Sequence, residues 1–286
     1  MSLAVQYDNK VISSFLLYLD HLVCGTGQAY TNTNSPFYRI SGYISPYTVY
    51  SAPYRPFVAD SSVPGATVMS GIFLNNTFIT TGQSGLIDID YNRGLVYFAN
   101  PITGSLSGNY AVKDFNISLT NKPEQSLLIE TKHYLKPRVG STITGLAYDV
   151  TTYPILYIKN QGGFSDEFAI GGWEKQTQKI RVIVMSDSLF GSDAVCSLIK
   201  DRVRSIIGLL TPQEMPFNSL GGFKSGNYNY NNLVGGKAGA NNTFYIDRVN
   251  TSVFFQESFQ SLTNLNSEVY VSFSDCELCS YRRTRL

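Results

Sequence analysis

IRVIVMSDSLFGSDAVCSLIKDRVRSII, residues 180–207, is the stretch that decides the predicted fold. Its opening apolar run is typical of a central strand in a sheet. A helix follows, because Ser188 or Ser192 can cap its start and apolar residues recur beyond them at helical spacing. The predicted buried stripe comprises Val195, Leu198, Ile199, Val203, Ile206, Ile207 and Leu210. Val203 and Ile206 lie at the centre of this stripe, so we expect both to be buried against the sheet.

Two further regions have a clear periodicity. Residues 9–23 carry apolar side chains at helical spacing, which predicts an amphipathic helix that packs on another element. Residues 68–119 contain short alternating segments separated by turn signals such as Asn75-Asn76. This pattern of short alternating segments is typical of an antiparallel β-sandwich or barrel. The predicted fold class is therefore α+β, with a mixed sheet, two packed helices and an antiparallel β module.

A long loop is predicted over residues 215–243. Gly and Asn dominate it, no period is visible, and loops of this length are usually functional or disordered. Apolar side chains are interleaved with these residues, which places contact groups on an adaptable backbone. The candidate inter-subunit contacts are Phe217, Phe223, Tyr228, Tyr230 and Leu233. We expect the loop to be mobile in the isolated subunit and to become ordered against a neighbouring subunit.

The composition favours contact with other proteins over contact with nucleic acid or membranes. Charged residues make up 15% of the chain and hydrophobic residues 43%. The 20 Tyr and 17 Phe suit protein contact surfaces, although aromatics also favour strands. A net charge of +1 argues against a broad nucleic-acid-binding surface. No apolar run reaches the roughly 20 residues that cross a bilayer, and no signal peptide is recognisable, so we expect a cytoplasmic protein.

The motifs of common enzymes are incomplete, which predicts that the chain is not an enzyme. No full phosphate loop, dinucleotide fingerprint or nucleophile elbow is present. The two histidines, His21 and His133, are more often structural than catalytic in such contexts. Cys276 and Cys279 have the spacing of zinc ligands, but no second close pair completes a four-ligand site. We therefore expect free thiols, no cofactor and no metal.

The last residues of the sequence form a small basic tail. Its candidate contact residues are Arg282, Arg283 and Arg285. Side chains of this kind bind nucleic acid or an acidic neighbour, and a solvated terminus is an equally good interpretation.

The order of these elements resembles the small α/β fold of phage tail-terminator and neck proteins. In that fold two helices pack on one face of a mixed sheet. The likeness is carried by the helix at 9–23, the segments PILYIKN and EFAIGGW, the stretch 180–207 and the late strand SEVYVSFSD. In addition, the segment LNNTFITTGQSGLIDIDYNRGLVYFANPITGSLSGNYAVKDF looks like an accessory module of phage virion proteins.

The resemblance implies a particular domain organisation and role. Residues 1–35 and 139–286 would form a discontinuous terminator-like α/β domain, into which residues 36–138 are inserted as a β-rich module. The implied role is that of a structural virion protein, a tail terminator or head–tail connector that is assembled in the host cytoplasm. It would form a homo-oligomeric ring, commonly a hexamer, at the neck or the tail end. The implied partners are tail tube, sheath or neck proteins, with DNA contacted at most locally in the channel.

Three other interpretations remain open at this stage. One is a baseplate or sheath-adaptor component, which would also act by assembly. Another is a carbohydrate- or receptor-binding β protein, in which exposed aromatic rings stack on sugars. The third is an enzyme whose site is not visible in the sequence.

Overall fold

The computed structural model describes residues 7–41, 46–124, 126–127, 133–135, 151–169, 172–216, 226–239, 241–254 and 269–283. Helix α1 spans Tyr7–Gly25, α2 spans Leu189–Lys200 and the short α3 spans Tyr230–Val234. The strands are β1 (Tyr30–Pro36), β2 (Tyr38–Arg39), β3 (Thr48–Ser51), β4 (Gly71–Leu74), β5 (Thr77–Thr80), β6 (Leu86–Asp90), β7 (Leu95–Phe98), β8 (Leu106–Lys113), β9 (Asn116–Thr120), β10 (His133–Leu135), β11 (Thr151–Tyr153), β12 (Ile155–Ala169), β13 (Trp173–Ser186), β14 (Ile206–Gly208), β15 (Thr243–Phe254) and β16 (Tyr270–Arg283). The fold is α+β and consists mostly of strands, as the sequence predicts.

The largest sheet has six strands in the order β14-β15-β16-β13-β12-β9. Neighbouring strands are antiparallel, except that β9 runs parallel to β12. The predicted mixed sheet is therefore confirmed. Its central strand β13 contains the apolar run at the start of the deciding stretch, and Ile180, Val182 and Val184 are fully buried on one face.

The helices α1 and α2 pack on this same face of the sheet. Phe15 of α1 and Val195 of α2 share one hydrophobic cluster with the inward side chains of β13. Ser188 caps α2 as predicted, since its side chain accepts a hydrogen bond from the backbone N–H of Gly191 at 3.1 Å. The first helix, predicted at 9–23, is confirmed as α1.

Residues 30–113 supply two four-stranded sheets, with strand orders β1-β8-β4-β5 and β2-β3-β7-β6. Side chains from both sheets share one aromatic-rich cluster that includes Phe57, Phe98 and Tyr110. This confirms the antiparallel β module. The predicted hairpin turn joins β4 to β5, and both Asn75 and Asn76 adopt positive φ angles, as a tight turn of this kind requires.

The helix predicted to run to residue 210 is wrong beyond Lys200. Asp201 closes α2, and Arg204 takes a positive φ of 70°, which is incompatible with a continuing helix. Residues 206–208 instead form β14, which pairs with β15 at the edge of the sheet. As a result Val203 is 38% exposed and Ile206 74% exposed, although both were expected to be buried. The apolar spacing predicted a continuous helix because it carries no information on the pairing of residues 206–208 with strand β15.

The edges of the sheets do not coincide with the predicted domain boundaries at residues 36 and 138. Strand β1 precedes the first boundary, yet it pairs with β8 of the sandwich. Strand β9 lies before the second boundary, yet it belongs to the six-stranded sheet. Leu17 of α1 is also buried in the core of the sandwich. The insertion of residues 36–138 stays a prediction. Near each predicted boundary, one strand pairs with the sheet of the other predicted domain.

Candidate assembly surface

The candidate contact residues of the long loop are not a free surface where the structure describes them. Phe217 and Phe223 lie outside the described residues. Tyr228 and Tyr230 are buried, and Leu233 packs against the same sandwich core. The expectation that Tyr228 and Tyr230 are offered to a neighbouring subunit is therefore wrong, because their own chain covers them. Leu233 is half-buried, and its contact with a neighbouring subunit stays a prediction.

Residues 226–234 are held against the sandwich by backbone hydrogen bonds. The N–H of Ser61 donates to the carbonyl oxygen of Tyr228 at 2.7 Å, and the N–H of Tyr228 donates to the carbonyl oxygen of Ala59 at 2.9 Å. The N–H of Tyr230 donates to Asp60 Oδ1 at 2.9 Å. These bonds tie the segment to its own chain, so the predicted mobility of the loop does not extend to residues 226–234.

Buried charges lie where α1 meets the sandwich and this segment. Lys113 Nζ contacts Asp20 Oδ1 at 2.6 Å, and each side chain is only 6% exposed. The Tyr228 hydroxyl also donates to Asp20 Oδ2, at 3.2 Å. Burial would lower the pKa of Lys113, but the charge and hydrogen bond of Asp20 raise it above its usual value. We call this group of residues, together with His21 and Asp60, the junction.

His21 and Asp60 form a second polar contact of the junction. His21 Nδ1 lies 2.6 Å from Asp60 Oδ2, and the imidazole stacks on the ring of Tyr230 at 4.6 Å between centroids. Burial would raise the pKa of Asp60, but hydrogen bonds from His21, Ser62 and the N–H of Tyr230 outweigh it and hold the pKa below its usual value. Both carboxylate oxygens of Asp60 accept hydrogen bonds within the fold, which favours a structural role for His21.

Sequence reasoning missed the junction, although one signal was available. Asp20 lies between Leu19 and Leu22 on the apolar side of the predicted first helix. A carboxylate in such a position is rarely buried unless it has a charged partner. The partner, Lys113, lies 93 residues away in sequence, so no local pattern could identify it.

The basic tail is in part a strand. Arg282 stacks over the ring of Tyr7 at 4.1 Å, and its Nη1 donates to Gln176 Oε1 at 2.9 Å. Arg283 is the last residue of β16 and pairs with Trp173, and Arg285 lies outside the described residues. The guanidinium of Arg282 is thus engaged within the chain, so Arg282 is not part of a solvated terminus. Contact of the tail with nucleic acid or an acidic neighbour stays a prediction.

The spacing of Cys276 and Cys279 does not bring the two thiols together. Both residues lie in β16, where side chains three positions apart point to opposite faces of the sheet. Cys276 is buried beneath the helices, and burial raises its pKa to about 12. Cys279 contacts Thr177 and Asp247 on the other face. The two sulfurs therefore cannot ligate one ion, and within the described residues no group of three or more metal-ligating side chains occurs.

The start of β13 pairs with the ends of β12 and β16, and Tyr7 of α1 contacts Ser280 and Arg282 there. We call residues 160–169, 172–179 and 277–283 the arm: the outer halves of β12 and β13 with the end of β16. Gln161 to Phe168 are all exposed, and β12 continues regularly through them after a bulge near Gly162. Gly162 and Gly163 are residue types typical of turns, yet pairing with β13 carries the strand through them. Residues 160–168 show no period-2 apolar pattern, so the local sequence held no signal of this strand.

One face of the arm carries a row of aromatic and charged side chains. Phe168 contacts Tyr281 at 4.5 Å between centroids, and Tyr281 stacks on Tyr245 at 6.2 Å. Lys175 Nζ contacts Asp247 Oδ2 at 3.2 Å, and this hydrogen bond raises the pKa of Lys175. Phe164 and Phe168 are 49% and 59% exposed. Exposed aromatic rings beside balanced charges are typical of protein contact surfaces.

The six-stranded sheet also has two unpaired edges. Strand β9 pairs with Ile155–Lys159 of β12, and no described strand pairs with the outer side of β12 from residue 160 onward. At the opposite edge, β14 pairs with residues 243–245 of β15, and residues 248–254 lack an outer partner among the described strands. Unpaired strand edges present backbone N–H and C=O groups that can bind another strand.

The start of α2 adds a second apolar surface. Leu189 and Phe190 form its first turn, and the Phe190 side chain is 85% exposed. Val253, on the unpaired part of β15, is also exposed. An isolated exposed apolar residue needs no explanation, but rings and aliphatic chains at both edges of one sheet make these edges the candidate contact surface.

Comparison with known proteins gives no match to a family model, a characterised protein or a solved structure. Within the described residues, no helix is both long and apolar enough to cross a membrane.

Proposed function

We propose that this chain is a structural subunit of a tailed-phage virion. It forms a homo-oligomeric ring at the neck or the tail end, as a tail terminator or head–tail connector, and acts by protein–protein assembly. The ring is a hexamer, assembled in the host cytoplasm, and its neighbours are tail tube, sheath or neck proteins.

The exposed arm is the observation that carries this proposal. An arm of strands with bare aromatic rings and an unpaired edge is costly to keep soluble unless another protein covers it, since such edges promote association. The junction, in contrast, buries its charged and tyrosine side chains and satisfies them internally. The surface that remains therefore suits assembly better than binding of a small molecule.

The arrangement of the large sheet adds support. Two helices on one face of a mixed sheet are the feature on which the resemblance to tail-terminator and neck proteins rests. The antiparallel module beside it corresponds to the accessory module that the resemblance implies. Fold alone does not fix function, so the assembly state is the property to test.

Sedimentation velocity and negative-stain electron microscopy of the purified chain test the proposal. We expect concentration-dependent assembly to about six times the subunit mass of 31.7 kDa, with ring-shaped particles. A chain that remains a 31.7 kDa monomer at all accessible concentrations would contradict the proposal. Mass spectrometry of particles of the phage that encodes the chain tests the virion location.

A second candidate function, carbohydrate or receptor binding, has one observation in its favour. Tyr38 and Phe78 of the sandwich are exposed, as is Tyr47 before β3. Exposed rings of this kind can stack on sugars. Binding of the monomeric chain to a glycan array, lost in Tyr38→Ala, would favour this function over the ring.

A further inference from the structure

We propose that neighbouring copies of this chain pair edge to edge, with residues 248–254 of β15 of one copy joining residues 160–169 of β12 of the next. The interface is head-to-tail: each copy contributes a different edge on each side. This inference rests on the proposed assembly function and specifies which surfaces meet.

The strand directions match this pairing. Three successive antiparallel steps, β12 to β13, β13 to β16 and β16 to β15, make β12 and β15 run in opposite directions. When two copies stand side by side in the same orientation, β15 of one copy is therefore antiparallel to β12 of the next. The alternation of the sheet continues across the boundary, which is the more favourable ladder geometry.

The free parts of β12 and β15 lie at different positions along the strand direction of the sheet. The free part of β12 is level with residues 276–283 of β16, and that of β15 with residues 271–277. Their centres differ by roughly five to six residues, or about 18 Å at ~3.3 Å per residue. Each copy is therefore displaced along the strand direction by about 18 Å relative to the copy before it. One copy contributes four strands to the shared sheet, and these span about 19 Å at ~4.8 Å per strand. The resulting strand tilt of roughly 40–45° matches that of closed barrels, about 35–45°.

The same shift allows the short outer strands to fit. Strand β9 flanks only the beginning of β12, so it lies below the end of the neighbour's β15. Strand β14 flanks only the beginning of β15, and the shift moves it beyond the end of the neighbour's β12. Each edge therefore consists of a part covered by a short strand and a free part, and the two edges are complementary in shape.

Charge at the two edges is also complementary. Asp166 and Glu167 are exposed on the free part of β12, and Arg248 is exposed at the start of the free part of β15. Arg248, Asn250 and Asp166 all lie on the face of the sheet opposite the helices. Antiparallel pairing that aligns the centres of the two edges and keeps paired side chains on one face places Asn250 of one copy opposite Asp166 of the next. The same register brings Arg248 diagonally to Asp166, within reach of its long side chain.

Charge reversal tests the register. Arg248→Glu and Asp166→Arg each place like charges across the boundary, and we expect each to raise the concentration required for assembly by about tenfold or more. The double variant restores the pair and should return to the parent value. Asp88→Arg, on the exposed side of β6, is the matched control and should have no effect. Equal assembly by the parent and both single variants would overturn the edge pairing while leaving the assembly function intact.

Directed cross-linking tests the head-to-tail geometry and does not depend on assembly strength. A mixture of Asp166→Cys and Asn250→Cys chains should form a disulfide-linked dimer on mild oxidation, and neither variant should do so alone. A mixture of Asp166→Cys with Asp88→Cys is the control and should remain uncross-linked. Cross-links within a single variant, or none in an assembled mixture, would overturn the proposed pairing. A parent chain that never assembles would instead overturn the proposed function, and with it this inference.

Discussion

The junction and the arm use the same residue types in opposite surroundings. In the junction, Lys113 and Asp20 are each 6% exposed, and tyrosine rings cover them. In the arm, the Lys175–Asp247 pair is 31% and 37% exposed, and tyrosine rings lie beside it on a bare face. The low charge and high tyrosine content of the sequence thus serve two purposes, internal cohesion in one region and an external contact surface in the other.

The contrast shows where stability and assembly are separable. A buried ion pair cannot lose one partner without leaving the other charge desolvated, so the junction determines whether the subunit folds. An exposed pair is solvated whether or not its partner is present, so the arm contributes little to the stability of one subunit. Changes in the arm are expected to affect contacts between copies instead.

The largest expected effect is at the junction. Lys113→Met leaves the buried carboxylate of Asp20 without its cation, and we expect a loss of about 3–5 kcal/mol in the free energy of unfolding. Urea denaturation at neutral pH measures it. Lys175→Met in the arm is the matched control and should cost about 0–1 kcal/mol.

Equal stability of the two lysine variants would contradict the claim that the junction, and not the arm, stabilises the subunit. The combined variant Lys113→Met with Asp20→Leu tests the same claim further. Replacement of both charges by apolar groups removes the unpaired carboxylate, so much of the lost stability should return.

A smaller effect is expected from pH, also at the junction. The folded-state pKa of Asp60 is held below its usual 3.8, so its stabilising contribution is present above about pH 4 and is lost as the pH falls through the folded-state value. Asp60→Asn should therefore lower the melting temperature at pH 6 and flatten its decline between about pH 4 and 2. Glu214, whose pKa Lys237 lowers to about 2, titrates in the same window in both proteins and cancels in the comparison.

Melting curves of Asp88→Asn provide the control for this pH dependence. Asp88 is an exposed aspartate of the sandwich, so its variant should follow the parent at every pH. If Asp60→Asn also followed the parent, the hydrogen bonds to Asp60 would not contribute to folding.

The sequence predicted the elements of the fold where the pattern is local. The helix at 9–23, the apolar strand β13, the cap at Ser188 and the hairpin turn at Asn75-Asn76 each depend on neighbouring residues, and all are confirmed. The continuation of the second helix was wrong because residues 206–208 find strand partners nearly 40 residues further along the chain.

The candidate contact surface could not be predicted from the same kind of pattern. Tyr228 and Tyr230 lie in a Gly/Asn-rich segment, which is typical of an exposed loop, yet residues 59–62 pair with that segment and bury both rings. Residues 160–168 contain turn signals and few apolar residues, yet pairing with β13 extends them into a strand. In both cases the deciding partner is distant in sequence, so exposure is decided by the fold.

Amide hydrogen exchange across a concentration series tests most directly the claim that copies meet along the bare edges of the large sheet. The account predicts rapid exchange on the unpaired sides of residues 160–169 and 248–254 in dilute subunits, and protection of both segments upon assembly. Residues 226–234, which include Tyr228 of the junction, should be protected at all concentrations, because their hydrogen bonds are internal. Assembly that leaves both edges exchanging at the dilute rate, or that protects only other surfaces, would contradict the account.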